Sequence, residues 1–163
     1  MRCTRQLTTT RAITRTAIIG VVALAGCGLQ QPTPLVTVVS GAKSVHTEAS
    51  RFCFEDQDPA APVGSPEACG SEEVKDVVLK VKPGRAVGVD VAKEVTEAGW
   101  YVAVRAVGQE EFNFSGIQRD HYFTFAPQFA ESRPIELEIR SVAEGQQQQS
   151  PATGVWRFTL VPD

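Results

Sequence analysis

Cysteine, histidine, hydroxyl and carboxylate side chains could carry chemistry in this chain, and their spacing is restrictive. The four cysteines are Cys3, Cys27, Cys53 and Cys69. Cys53 and Cys69 lie sixteen positions apart, which is wrong for a C-x-x-C redox motif, and only His46 is near them. The pair therefore reads as a disulfide, worth roughly 3 kcal/mol on the chain-entropy account. The two histidines, His46 and His121, sit in alternating, strand-like stretches, and no serine lies in a G-x-S-x-G elbow. A Ser-His-acid triad is not expected. Glu55, Asp56 and Asp58 cluster, but without the D-x-D-x-D-G spacing of a calcium loop, and they read as a solvated acidic loop. The only methionine is Met1, which argues against a Met-rich copper carrier. Phosphate-binding glycine loops are missing from the sequence. No metal, no other cofactor and no enzymatic activity are expected.

Aromatic side chains remain as recognition groups. Phe112, Phe114, Tyr122, Phe123 and Phe125 fall within fourteen residues. Buried between layers they would be core. With Phe112 and Phe114 in a loop, they would instead form an exposed apolar patch of the kind that marks partner or lipid contacts. The candidate patch for a partner or ligand is Phe112, Phe114, His121 and Tyr122.

The N-terminus reads as an address. Residues 1–16 carry Arg2, Arg5, Arg11 and Arg15 and no acid, and residues 17–26 are apolar or small. Ten such residues fall short of the roughly 20 that span a membrane, so the pattern is that of a secretory signal. Leu24-Ala25-Gly26-Cys27 matches the bacterial lipobox, in which the chain is cut before a cysteine that takes lipid. No Arg-Arg pair is present, which favours the general export route. Cleavage removes four arginines and no carboxylate from the 16 basic and 19 acidic residues. That leaves twelve cations against nineteen carboxylates, a net charge of −7 over 137 residues. Such a balance lacks a nucleic-acid footprint and gains nothing from an anionic membrane, so the lipid on Cys27 must anchor the chain. The expected place is the outer face of the cytoplasmic membrane.

The expected domains are a signal over residues 1–26, the lipidated Cys27 with a tether over 27–34, and a folded domain over 35–163. The tether (GLQQPTP after Cys27) reaches at most about 25 Å. From residue 35 the apolar period is two. Strands are expected over 35–39, 44–54, 77–82, 86–91, 100–105, 120–126, 135–140 and 155–160. Pro83-Gly84 either closes a hairpin or carries the chain to another sheet. Residues 92–98 (AKEVTEA) are the one helix expected, stopped by Gly99. Residues 56–70, 107–118 and 143–154 read as loops. Seven or eight short strands argue an all-β, immunoglobulin-like antiparallel sandwich, in architecture and not in family, with a small barrel as the alternative.

The lipobox, PTPLVTVVSG, SVHTEA, the Cys pair, VKPGRAVGVDV, the helix ending in AGW, DHYFTF and GVWRFTL follow one another in an order that resembles a family of actinobacterial cell-envelope lipoproteins known only as a domain of unknown function. The resemblance covers nearly the whole chain after Cys27. It implies an exported, lipid-anchored small domain and supplies no catalytic residues. The function expected is a non-catalytic binding or accessory module of the cell envelope, working by surface contact with an envelope protein or ligand. The alternative is a carrier of a hydrophobic small molecule in an aromatic-lined cavity.

Overall fold

Period-two alternation leaves each strand one apolar face to bury, and two such faces cover each other here. The computed structural model describes residues 32–54, 57–61, 68–71, 77–148 and 150–163. Its strands are β1 (Val36–Ser40), β2 (Lys43–Thr47), β3 (Arg51–Phe52), β4 (Gly70–Ser71), β5 (Val77–Val81), β6 (Val87–Val91), β7 (Trp100–Ala106), β8 (Asn113–Phe114), β9 (Tyr122–Phe125), β10 (Ile135–Ser141) and β11 (Gly154–Pro162). Eight of these have four residues or more, in line with the seven or eight expected; β3, β4 and β8 have two each. The single α-helix among the described residues, α1 (Lys93–Ala98), ends at Gly99, whose φ of 105° suits glycine. Gln31–Asp163 form one compact unit.

The smaller sheet has the order β2-β1-β6-β9. The larger runs β4-β3-β11-β10-β7-β8, with β5 also on β11. Among the named strands all pairings are antiparallel except β5 with β11, which is parallel. One core joins both inner faces: Val36, Val38, Val87 and Val89 from the smaller sheet meet Leu79, Leu137, Ile139, Trp156 and Leu160 from the larger. The protein is an all-β sandwich of two sheets.

Several elements differ in detail from the alternation pattern. Residues 44–54 do not form one strand: β2 lies in the smaller sheet and β3 in the larger, so the chain crosses the sandwich between them. The Pro83-Gly84 turn likewise carries the chain across, because β5 pairs with β11 and β6 with β1. The buried indoles tie incoming segments to the core. Trp156 Nε1 donates to the Pro34 carbonyl and Trp100 Nε1 to the Asp120 carbonyl, both at 2.8 Å. A buried indole N–H needs such a partner.

Cys53 and Cys69 form the disulfide, with Cα atoms 4.3 Å apart. Cys53 follows β3 and Cys69 precedes β4. The bond therefore fastens neighbouring strands of one sheet, unlike the inter-sheet disulfide of antibody domains. Replacing both cysteines by serine is expected to lower stability by roughly 3 kcal/mol, read from the urea midpoint. An unchanged midpoint would contradict a stabilising bond.

Candidate binding surface

On the outer face of the larger sheet, opposite charges stand at matched cross-strand positions. Register sets Glu138 of β10 beside Arg157 of β11 and Ala103 of β7, and Glu136 beside Arg105. These side chains alternate with Leu137 and Ile139, which enter the core. Glu138 is only 8% exposed. Its carboxylate accepts from Arg140 Nε at 2.8 Å and from Arg157 Nε at 3.1 Å. Arg105 Nε donates to Glu136 Oε2 at 2.6 Å. A carboxylate this far out of water is tolerated because it is paired and hydrogen-bonded. Burial opposes the Arg140 charge, but Glu138, through hydrogen bond and charge, and Tyr101 outweigh it and hold the guanidinium pKa above its ordinary value.

Aromatic rings lie over this charged layer. The Phe112 centroid is 4.3 Å from the Arg105 guanidinium and 4.9 Å from that of Arg140. Phe114 stacks on Phe112 at 6.3 Å and receives Tyr101 edge-on at 5.8 Å. The guanidinium groups thus sit over aromatic faces while still bonding carboxylates, which suits arginine and not lysine. Beneath the rings, Tyr101, Ala103 and Val142 form a small buried cluster outside the main core, with Phe112 packed against it.

Two segments expected to be free loops hold the rings in place. Ser115 exchanges bonds with β7: its N–H donates to the Val102 carbonyl at 2.8 Å and its Oγ accepts from the Val102 N–H at 2.9 Å. From residues 143–154, which the sequence presents as an exposed loop, Gln148 donates Nε2 to the Ser115 carbonyl. The Gln148 carbonyl accepts from the Tyr101 hydroxyl at 3.1 Å. Phe114, still 52% exposed, is therefore an apolar ring presented on a fixed backbone. Beside this face is a polar cleft of about 390 Å³ lined by Arg105, Glu136, Glu138, Arg157 and Val107 among others.

The four candidate contact residues are not brought together. Phe112 and Phe114 are on the outer face of the larger sheet, whereas Tyr122 is in β9 at the edge of the smaller sheet and His121 precedes it. Tyr122 is close enough to Gly88 of β6 that a Cβ there would clash with its ring. Phe123 and Phe125, in contrast, are half-buried and pack on the core. His46 is in β2 and His121 beside β9, at opposite edges of the four-stranded sheet. Three strand spacings separate them by roughly 14 Å, too far for shared chemistry.

Cys27, Glu55 and Asp56 lie outside the described residues. Asp58 caps a local turn by accepting from the Ala60 N–H at 2.8 Å. No group of three or more His, Cys, Asp or Glu among the described residues could hold a metal ion. An apolar cavity of about 270 Å³ opens at the seam between β8 and β9, lined by Val104, Phe125, Pro127 and Ile135 among others.

The sequence alone does not single out the partners of Phe112 and Phe114, Arg105 and Arg140, or Glu138, which pairs with Arg140. The available signal was alternation of charge along neighbouring strands, Glu136-x-Glu138-x-Arg140 against Arg105 and Arg157. Reading it requires the register. Comparison with protein-family models, with curated proteins and with solved structures finds no match to this chain.

Truncating Glu138 strands Arg140 under the aromatic layer. Glu138→Ala is expected to cost about 1–3 kcal/mol, whereas Glu136→Ala, whose side chain is 36% exposed, should stay within about 1 kcal/mol. Parallel urea titrations check this, and equal costs would show that Glu138 has no special place.

Proposed function

We propose that the protein is an exported, lipid-anchored module of the cell envelope that binds a partner protein without catalysing a reaction. The observation that carries this reading is the pre-arranged Arg105–Phe112–Arg140–Phe114 face. Aromatic and arginine side chains held rigid are the groups that dominate binding energy at protein interfaces. Ordering them on binding costs little, because Ser115 and Gln148 already fix the backbone. The lipobox at Cys27 supports anchoring, and the Cys53–Cys69 bond suits an oxidising compartment. The resemblance to actinobacterial cell-envelope lipoproteins enters the proposal in the same way. The immunoglobulin-like description stays at the level of two packed sheets.

A second reading, transport of a hydrophobic small molecule, is favoured by the seam cavity with Phe125 in its wall. At about 270 Å³ it lies just below the ordinary range for ligand pockets, roughly 300–1,000 Å³. It would hold only a small cargo, and native mass spectrometry of the purified protein separates the readings.

Phe114→Ala is expected to weaken partner capture after cross-linking in membranes by about tenfold or more, with the urea midpoint nearly unchanged because the ring is half exposed. Full capture by this variant would contradict the surface. Cys27→Ala is expected to move the protein out of the membrane fraction or leave the precursor uncut. An unaltered, processed membrane fraction would contradict anchoring at that residue.

A further inference from the structure

Lys43, Lys80, Lys82 and Arg85 converge with Asp163 on a cavity of about 220 Å³. It lies at the end of the sandwich where β1 turns into β2 and β5 into β6. Lys43 Nζ bonds Asp163 Oδ2 at 2.8 Å. The Asp163 carboxyl is held below its usual range, first by that hydrogen bond and, against some desolvation, by the charges of Lys43, Lys80 and Lys82. One side-chain carboxylate is thus shared by three ammonium groups, with the Arg85 guanidinium as a fourth cation on the same cavity.

The imbalance is local. Arg105, Arg140 and Arg157 sit on Glu136 and Glu138, and Lys93 on Glu97. Twelve cations follow Cys27 against nineteen carboxylates, yet a third of those cations gather at this one end. Like charges crowded together oppose folding. The excess persists even where Asp163 also carries a terminal carboxylate.

We infer that this cavity binds a multiply charged phosphate-type anion, for which Lys43, Lys80, Lys82 and Arg85 supply the positive field and Asp163 holds Lys43 in place until the ligand takes it over. Lysine meets phosphate as a point charge and arginine by paired N–H donors. An excess of about two to three positive charges suits a di- or trianionic group better than a lone carboxylate. The inference is independent of the aromatic face and of partner binding there. A free oligophosphate and a phosphate-bearing polymer present the same chemistry.

Calorimetric titration of the detergent-solubilised protein with pyrophosphate and with long-chain polyphosphate tests this. Binding of pyrophosphate is expected, weakened about tenfold or more by the double replacement Lys80→Gln and Lys82→Gln, and by added salt. Asp163→Asn should tighten it by removing the competing carboxylate. Polyphosphate binding much tighter per chain than pyrophosphate would identify a polymer as the source, and similar affinities a small free anion. Thermal melting checks that each variant is folded, and Lys80→Gln alone replaces a double variant that is not. No binding of either probe, binding untouched by these replacements, or binding only to anionic lipid vesicles would overturn the inference.

Discussion

A carboxylate withheld from water on the outside of a sheet is the constraint around which the candidate surface is arranged. Glu138 is flanked by hydrophobic strand positions that fill the core, so it cannot turn inward. On the outer side it is covered, so its charge must be met by Arg140 and Arg157. Once Arg140 is fixed, its guanidinium plane offers a floor for Phe112 and Phe114. Tyr101, opposite Arg140 across the β10–β7 pair, closes the other side. The order of dependence runs from charge pairing to ring placement, because an unpaired buried carboxylate costs more than a displaced surface ring gains.

The sandwich makes this possible by supplying a flat, rigid support. β10 lies between β11 and β7 along its full length, so the three strands that carry the charges cannot slip without moving Leu137, Ile139 and Trp156 out of the core. The same cross-strand logic operates differently at the other end of the molecule. There the β1–β2 and β5–β6 turns bring lysines together with one carboxylate between them. In one region each arginine is paired with a carboxylate and the layer is capped by aromatics, and the other is left with a larger surplus of charge. Those are different preparations for different kinds of contact.

Much of the scaffold was legible in residue order. The alternation in IELEIR and VWRFTL marks β10 and β11, and AKEVTEAG marks the short helix with its glycine stop, because burial of one face imposes a period that side chains record. Which strands pair was not legible. Residues 44–54 look continuous in pattern yet divide between the two sheets, since a crossing needs only a few extended residues that leave no compositional mark. The candidate surface was half legible. Phe112 and Phe114 stand out as loop aromatics, but Tyr122 and His121 adjoin them only in sequence, being carried away by β9 into the smaller sheet. Glu138 reads like any outward strand residue, because its burial depends on register, which sets Arg157 and Ala103 beside it while Arg140 folds onto its carboxylate. Gln148 sits in a run of glutamines that suggests solvent, and one of them bridges to Ser115 and Tyr101.

The central claim is that the rings over Arg140 are a contact surface and not simply a cap on the charged layer. Site-specific photo-cross-linking in intact cells tests it most directly, with a photoreactive phenylalanine analogue placed at position 114 or, as the control, at position 124 on the outer face of the smaller sheet. The account predicts one discrete adduct from position 114, lost on Arg140→Ala in an otherwise folded protein, and none of that mass from position 124. The same adducts from both positions, or none from position 114, would contradict it.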